Sequence, residues 1–370
     1  MKYFVFFLFS WSTFLFAQQP SSGKSPLQVA IVGLSHDHVN GILHRKDQGD
    51  IKIVAIVETD QALAEKYASR YGYSMEIVYP TLEAMYEKVQ PEAVTAFNSI
   101  YDHLSVVEFC APRGIHVMVE KPLAVSVEHA EKMIKLAKEH GIHLLTNYET
   151  TWYGSNWKAY DIIDHENKIG DIRRIIFYTG HPGPVEIGCS REFLSWLTDP
   201  ILNGAGALTD FGCYGANLST WFMGGETPTT VSCLTKQIKP GIYPKVDDDA
   251  TIILDYPQAQ VIIQASWNWP YGRKEMEIYG QTGAVFCKNS QDMLVKENEK
   301  ENFREIKAPN LPERMTDPFH YLYETVKNEL KEPAFNLSSP ENNLIVVQIL
   351  EAARKAAASG KTVSWHELYH

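Results

Sequence analysis

Residues 27–41 have the sequence LQVAIVGLSHDHVNG, a short β-branched run that ends at a glycine and leads into two histidines around an aspartate. Similar runs follow, among them IKIVAIV, AVTAFN, IHVMVE and IHLLTN, and amphipathic stretches such as SVEHAEKMIKLAKEHG lie between them. Strands that alternate with helices indicate a parallel sheet with helices on both faces. Ligands of such sheets bind beyond the carboxyl ends of the strands, so the loop after Val32 is a candidate site.

The pattern changes after Asn147. Strand-like runs such as RRIIFYTG, ATIILDY and QVIIQASWNW then follow one another with turn signals and without intervening helices, which favours an antiparallel sheet. We therefore predict an α/β fold class in three parts. These are an N-terminal domain with a Rossmann-type parallel sheet (27–147), an α+β domain with a mainly antiparallel open sheet (148–335), and a C-terminal helix and tail that pack back on the N-terminal domain (336–370).

The first residues have the features of an export signal. Lys2 precedes an apolar run over residues 3–17, and the polar stretch QQPSSGKSP follows it. The run is shorter than the ~20 residues that span a bilayer. We therefore expect a cleaved signal peptide over 1–17 and an exported, periplasmic protein without stable membrane insertion. An uncleaved membrane anchor is the alternative.

Charge and cysteine content argue against some classes of function. The net charge is −11 at pH 7 and no cluster of Lys and Arg stands out, so a nucleic-acid surface is not expected. The five cysteines are widely spaced, and no Cys/His set has the spacing of a zinc site. A small neutral substrate fits this charge balance.

Three interpretations of the loop after Gly33 remain open from its own residues. The dinucleotide fingerprint G-x-G-x-x-G would place glycines at 33, 35 and 38, whereas this chain has Gly33, Ser35 and His38. Ser35 could contact a phosphate, with His36 and His38 offsetting the charge of Asp37. Metal binding by the histidines is the second interpretation, and a capped, solvated helix start is the third. Neighbouring residues of such a turn point apart and spacing identifies no further ligand, so we predict cofactor contact by Gly33, Ser35 and His36 and no metal site.

Glu58 follows the second strand-like run directly. An acidic residue at this place in a dinucleotide-binding sheet accepts hydrogen bonds from the adenosine ribose hydroxyls. Its charge would also repel the 2′-phosphate of NADP. We therefore expect NAD as the cofactor and NADP to be disfavoured, with a merely solvated glutamate as the alternative.

Two further stretches resemble a known family. Glu120-Lys121-Pro122, within HVMVEKPLAVS, is similar to the E-K-P signature of the Gfo/Idh/MocA oxidoreductases, and GAGALTDFGCYGANLSTWFMG is similar to their glycine-rich helix. The second stretch carries Asp210 and, four residues later, Tyr214, a spacing that places both on one helical face. The resemblance extends over most of the chain and implies an NAD-dependent oxidoreductase acting on a sugar or related polyol, with residues 148–335 binding substrate.

The resemblance also implies a role for each motif residue. Lys121 would orient and polarise the reacting hydroxyl, Tyr214 would take or return its proton, and Asp210 would hydrogen-bond the substrate or the lysine. Proton transfer must accompany the movement of hydride between carbon and nicotinamide. A neighbouring cation such as Lys121 is expected to lower the pKa of Tyr214.

Other stretches depart from the family pattern. AFNSIYDH has Asn98 where proline is usual and one extra residue before His103, and NYETTW lacks the usual arginines. The substrate pocket is therefore expected to be this chain's own, and we predict two sets of contact residues. The cofactor set is Gly33, Ser35, His36, Glu58, Asn98, His103, Glu120, Lys121 and Asn147. The substrate set is Tyr148, Glu149, Trp152 and His181.

Two alternatives to a dehydrogenase remain. Some members of the family retain the nicotinamide and cleave a glycosidic bond by transient oxidation and elimination, so the first is a glycosidase or lyase with retained NAD. The second is a non-enzymatic or cofactor-free binding protein. Members also often pack their antiparallel sheets together between subunits. A homodimer or homotetramer acting on a small carbohydrate is therefore expected by resemblance.

Overall fold

The structure is a computed structural model, and it describes residues 25–315, 317–328 and 330–369. The expected signal peptide over residues 1–17 lies outside this range. Within the described part of the chain, no helix has both the length and the apolar character needed to cross a membrane.

Six parallel strands form the N-terminal sheet. They are β1 (Leu27–Val32), β2 (Ile51–Val57), β3 (Val78–Tyr79), β4 (Ala93–Ala96), β5 (His116–Glu120) and β6 (Leu144–Asn147). Their spatial order is β3-β2-β1-β4-β5-β6, the order of a dinucleotide-binding Rossmann sheet. The predicted parallel sheet is therefore confirmed.

Helices cover both faces of this sheet. They are α1 (Val39–Leu43), α2 (Gln61–Tyr71), α3 (Leu82–Tyr86), α4 (His103–Cys110) and α5 (Val127–His140). Alternate residues of β1 enter different cores, since Ala30 and Val32 belong to one apolar cluster and Ile31 to another. Burial on both faces explains why these strands are continuous β-branched runs rather than alternating ones.

Nine strands form the second sheet. They are β7 (Ile172–Gly180), β8 (Thr230–Lys236), β9 (Asp249–Asp255), β10 (Gln260–Ser266), β11 (Arg273–Gly280), β12 (Ala284–Cys287), β13 (Asp292–Lys296), β14 (Arg304–Lys307) and β15 (Val363–Ser364). Their order is β14-β13-β12-β11-β7-β10-β9-β8-β15. Every neighbouring pair is antiparallel except β7 with β10. The predicted mainly antiparallel sheet is confirmed.

The remaining helices pack around this second sheet and between the two sheets. They are α6 (Gly154–Tyr160), α7 (Arg191–Leu197), α8 (Ala207–Phe222), α9 (Pro318–Lys327), α10 (Pro340–Ser359) and α11 (Trp365–Tyr369). Helix α8 is buried from Ala207 to Trp221. Its glycines permit a close approach to the sheet, because a Cβ on Gly215 would lie 2.7 Å from the side chain of Ile263.

Helix α10 contacts both sheets. It packs along α8 and β8, and it also touches α5 and β6 of the N-terminal sheet. Two polar contacts fix this position: Glu351 accepts a hydrogen bond from the Val127 amide at 3.2 Å, and Arg354 donates one to the Val125 carbonyl at 2.9 Å. These contacts join α10 to the start of α5 and to the chain segment before it.

A buried charge network ties α9 to the start of β2. Arg45 donates to the Asp50 carboxylate at 2.8 and 2.5 Å and to Asp317 at 3.0 Å. His320 Nδ1 lies 2.8 Å from Asp50 Oδ2. Burial acts to raise the pKa of Asp50, but the hydrogen bonds from Arg45 and His320 outweigh it and lower that pKa to about 2.

Replacing Asp50 with asparagine should lower the free energy of unfolding by about 1–3 kcal/mol at neutral pH, because Arg45 loses its partner. The folded pKa of Asp50 lies below the ordinary value of 3.8, so its stabilisation is present above that pH and is lost as the pH falls toward about 2. Urea unfolding at several pH values should show the difference from wild type shrinking in that interval. The exposed Asp171→Asn is the control, and a difference that does not change with pH would contradict the assignment.

Candidate active site

An ion pair between Lys121 and Asp210 joins the two sheets. Lys121 directly follows β5, and Asp210 lies in the first turn of α8. Lys121 Nζ donates to Asp210 Oδ1 at 2.5 Å and to the Asp210 carbonyl at 3.0 Å. Both residues are about 5% exposed. The E-K-P motif and the glycine-rich helix therefore meet in the structure.

Both members of the pair stay charged at neutral pH. Burial acts to raise the pKa of Asp210, but Lys121 and then His181 outweigh it, and the net pKa lies below its ordinary value. Burial acts to lower the pKa of Lys121, but the Asp210 carboxylate outweighs it, and the net pKa is raised. A buried charge that lost its partner here would face a large desolvation penalty.

Trp267 fixes the second oxygen of the Asp210 carboxylate. Its indole Nε1 donates to Asp210 Oδ2 at 2.9 Å, and the residue is fully buried. The Trp267 amide donates to the carbonyl of Asp248 at 2.8 Å. The Asp248 carboxylate in turn accepts from the amides of Ile238 and Lys239 at 2.7 and 2.6 Å. The sequence did not identify this role for Trp267, since a tryptophan that follows a buried strand carries no sign of its partner.

Tyr214 lies one helical turn after Asp210 and faces two cations. Its ring centroid is 5.2 Å from Lys121 Nζ and 5.1 Å from Lys274 Nζ. The expectation that Lys121 lowers the pKa of Tyr214 is nevertheless wrong. Burial raises that pKa well above its ordinary value, and the charge of Glu149 acts in the same direction. Each cation is already paired, Lys121 with Asp210 and Lys274 with Glu149, so desolvation dominates.

His181 and Tyr148 border the same cluster. His181 Nδ1 accepts a hydrogen bond from the Gly183 amide at 3.0 Å, which leaves the proton of the neutral ring on Nε2. Burial lowers the pKa of His181, although Asp210 opposes this. The Tyr148 ring meets that of Tyr214 edge-on at 5.7 Å, and its buried hydroxyl has no partner among the described residues. The structure thus gathers two predicted substrate residues around the predicted acid/base.

A cavity of about 520 Å³ lies at the carboxyl end of β1 and β2. Four predicted cofactor residues line it, namely Gly33, Ser35, Glu58 and Asn98. Part of its wall comes from the second domain, including Ser195, Trp196 and Leu202. No motif pointed to these three residues, because they reach the cavity only where α7 and the segment after it approach the N-terminal domain.

The cavity has features that fit a polar ligand such as a dinucleotide. Gly33 has a φ of +80°, and a Cβ there would lie 2.9 Å from Asn98 Cβ, so the close approach needs glycine. The Asn98 side-chain oxygen and the Trp196 indole nitrogen are buried without a partner among the described residues. Unpartnered buried polar atoms in a cavity wall are suited to bind a ligand's polar groups. Glu58 accepts hydrogen bonds from the amides of Leu34 and Asp60 at 2.8 and 2.9 Å.

Two predicted cofactor residues are buried beside this cavity and do not line it. His36 is 1% exposed and packs against Phe193 and Trp196, with ring centroids 4.6 and 5.3 Å away. His103 Nδ1 lies 3.1 Å from the Leu123 carbonyl, and burial lowers the pKa of His103 to about 4. Both imidazoles are therefore neutral and act as packed side chains in this structure.

Glu120, Asn147 and Trp152 form a hydrogen-bonded chain that begins at His38. His38 Nδ1 lies 2.9 Å from Glu120 Oε2, Asn147 donates to Glu120 Oε1 at 2.8 Å, and Trp152 donates to Asn147 Oδ1 at 3.0 Å. His38, Asn147, Glu149 and Trp152 border a second cavity of about 420 Å³. The sequence placed Glu120 and Asn147 at the cofactor and did not foresee His38 as their partner.

The two histidines of the loop do not point apart. The ring centroids of His36 and His38 are 4.5 Å apart, and the His38 amide donates to His36 Nδ1 at 3.1 Å. Neighbouring residues of the turn point apart, whereas the two histidines on either side of Asp37 lie together. Asp37 points elsewhere and accepts a hydrogen bond from the Ser190 amide at 2.8 Å.

The carboxyl edge of the Rossmann sheet carries Lys121, and it meets the helix that carries Asp210 and Tyr214. This arrangement is that of a two-domain NAD(P)-binding oxidoreductase. A family model described as "Oxidoreductase family, NAD-binding Rossmann fold" matches residues 27–148, and one described as "GFO/IDH/MocA C-terminal domain" matches residues 158–286. The chain therefore belongs to the Gfo/Idh/MocA oxidoreductase family.

Named relatives of the chain act on sugars. It is 24% identical over 238 residues to dTDP-3,4-didehydro-2,6-dideoxy-alpha-D-glucose 3-reductase of Streptomyces antibioticus, a match that covers 64% of this chain and 67% of the relative. It is 23% identical over 248 residues to D-xylose 1-dehydrogenase [NADP(+)] of Haloarcula marismortui, covering 65% of this chain and 66% of the relative.

A solved structure shares the whole fold. An inositol dehydrogenase homolog from Azotobacter vinelandii, complexed with NAD+, has a TM-score of 0.78 and 18% sequence identity to this chain. The likeness covers 92% of this chain and 97% of that structure. At this identity it supports the two-domain fold.

Replacing Lys121 with methionine should destabilise the fold by about 3–5 kcal/mol at neutral pH, because it leaves the Asp210 carboxylate buried without its cation. The double variant Lys121→Met with Asp210→Asn should recover much of this loss, since the second change removes the unpaired charge. Urea unfolding of the four proteins of the cycle measures both effects. Equal losses that simply add would show that the pair is not coupled.

Proposed function

We propose that the protein is an NAD-dependent oxidoreductase that transfers a hydride between a secondary hydroxyl of a sugar or polyol and nicotinamide. The observation that carries this proposal is the buried Lys121, Asp210 and Tyr214 cluster at the junction of the two sheets. The names of the relatives support a sugar or polyol as the substrate class. When bound, the nicotinamide supplies or accepts the hydride.

Lys121 is placed to hold the reacting oxygen of the substrate. An ammonium group has three N–H donors, and Asp210 uses two of them through its carboxylate and carbonyl. The third can donate to a substrate oxygen. Asp210 keeps the lysine charged, so the donor stays available and favours negative charge that develops on that oxygen.

Tyr214 is the proton donor of the cluster. Its pKa is raised well above the ordinary value, so the phenol carries its proton at neutral pH. A protonated phenol can protonate the oxygen of a carbonyl substrate as it is reduced to an alcohol. Oxidation of an alcohol needs the opposite transfer, of a proton from the substrate hydroxyl to an ionised Tyr214, and is therefore favoured as the pH rises.

Tyr214→Phe should lower kcat for carbonyl reduction by about 100-fold or more, because the proton donor is lost while the ring packing is kept. KM should change little. In the wild type, the rate of the oxidation direction should rise with pH, and this rise should vanish in the variant. Tyr256→Phe, a buried tyrosine of the second sheet, is the control for loss of a hydroxyl. An unchanged kcat in Tyr214→Phe would exclude Tyr214 as the donor.

Glu58 favours NAD over NADP. It lies in the wall of the 520 Å³ cavity at the end of β2, and each oxygen already accepts a backbone amide, which fixes its orientation. A carboxylate retains lone pairs for two ribose hydroxyls and repels a 2′-phosphate. The named D-xylose dehydrogenase uses NADP, so this preference is a property proposed for this chain alone.

Glu58→Gln should shift the ratio of NADP to NAD affinity by roughly tenfold toward NADP, since the charge is removed while the shape is kept. Titration of tryptophan fluorescence with each nucleotide gives both dissociation constants. The exposed Glu65→Gln on α2 is the control. An unchanged ratio would show that another group selects the cofactor.

The second candidate is a glycosidase or lyase that retains NAD and acts by transient oxidation and elimination. Residues 1–17 favour it, because they predict export to a periplasmic compartment where free NAD is scarce. Localisation by fractionation of cells tests that export. Assembly as a homodimer or homotetramer also remains a prediction, which the mass in solution tests.

One experiment separates the candidates. Protein purified from its own compartment should release NAD on denaturation, as detected by mass spectrometry, under either enzyme. With candidate glycosides, net formation of NADH supports the dehydrogenase. Cleavage of the glycoside without net NADH supports the second candidate, and absence of bound or bindable NAD would exclude both.

A further inference from the structure

Three potential metal ligands meet beside the loop that follows β1. His36 and His38 come from that loop, and Glu120 comes from the end of β5. One ligand atom of each residue lies within 4.8 Å of the other two. The strands β1 and β5 are parallel and end at the same edge of the sheet, which brings residues of distant sequence positions together. The sequence alone gave two histidines and no third ligand.

We propose that His36, His38 and Glu120 bind one divalent first-row transition-metal ion. Two imidazoles and one carboxylate form a ligand set that such ions accept, and a set of three leaves coordination positions open for water or another ligand. This proposal concerns metal binding and does not depend on the proposed redox activity.

His36 must turn a ring lone pair toward the ion. In this structure its Nδ1 accepts the His38 amide at 3.1 Å, which leaves the proton of a neutral ring on Nε2. Binding through Nδ1 therefore replaces this hydrogen bond, and binding through Nε2 moves the ring proton to Nδ1.

Neighbouring groups hold two of the three ligands in place. His36 is packed against Phe193 and Trp196. Glu120 Oε1 accepts from Asn147, which leaves Oε2 directed at His38 Nδ1, 2.9 Å away. Partners of this kind orient metal ligands in known sites. Binding of an ion replaces the direct contact between His38 and Glu120 with two bonds to the metal.

The site has an entry path and a charge balance that suit a cation. The His38 side chain is 41% exposed and borders the 420 Å³ cavity, so an ion can reach the cluster from that side. The nearby cation Lys121 is neutralised by Asp210, and Glu149 adds a carboxylate to the cavity wall. His38 is the one of the three ligands that borders this cavity, so oxygen atoms of a hydroxylated ligand bound there could complete the coordination.

The test uses Co²⁺ as the probe on the full chain, purified and freed of metal with a chelator. Wild-type protein should bind one equivalent of Co²⁺, visible as new absorption in the visible range, and an equivalent of Zn²⁺ should displace it. His38→Gln and Glu120→Gln should each weaken binding by more than about 100-fold, since loss of an outer-shell partner alone costs 10–100-fold. The exposed His140→Gln at the end of α5 should bind as wild type does.

A second measurement guards against misfolded variants. Circular dichroism establishes that each variant is folded, and Zn²⁺ should raise the melting temperature of wild type and of His140→Gln but not of Glu120→Gln. The proposal is overturned if wild type binds no stoichiometric Co²⁺, or if His38→Gln and Glu120→Gln bind it as tightly as wild type. NAD binding measured on the same samples reports on the proposed function separately, because a chain that binds NAD but no Co²⁺ contradicts only the metal site.

Discussion

The buried ion pair of Lys121 with Asp210 is the contact on which the site depends. Its partners lie 89 positions apart, one at the edge of a parallel sheet and the other on a helix that packs on an antiparallel sheet. Neither charge could be buried alone at acceptable cost. The pair therefore links the two sheets at one point. Tyr214 and His181 lie around it, and residues of both sheets contribute to their surroundings. A functional cluster exists only where the two halves of the chain are docked.

Periodicity was sufficient to predict both sheets, because burial on two faces and burial on one face leave different patterns in the sequence. The parallel first sheet and the mainly antiparallel second sheet agree with that expectation. The resemblance supplied the residues of the cluster, and the structure brings Lys121, Asp210 and Tyr214 together. The prediction that was wrong is the direction of the pKa shift of Tyr214. The sequence shows a nearby lysine, but it does not show that the lysine is already neutralised or that the phenol is fully buried.

The side-chain roles that the sequence did not reveal share a physical cause. Trp196 in the cavity wall, Trp267 on Asp210 and His38 on Glu120 all act through partners that are distant in sequence. Side chains of these types occur in most cores, so their identity alone carries no information on role. The loop after Gly33 shows the same limit, because His36 packs on Phe193 and Trp196 and His38 lies against Glu120, all of which are distant in sequence.

The support behind Trp267 has a consequence for how the sequence can vary. Asp248 is fully buried and holds two backbone amides, those of Ile238 and Lys239, while its own carbonyl fixes the Trp267 backbone. Position 238 enters this arrangement only through its main chain, and the Ile238 side chain is 57% exposed. Lys239 also uses its side chain, because its Nζ donates to the Trp267 carbonyl at 2.7 Å. The residue type at position 238 can therefore change during evolution without disturbing Asp210. A change of Asp248, on the far side of the tryptophan from the site, would be transmitted to it.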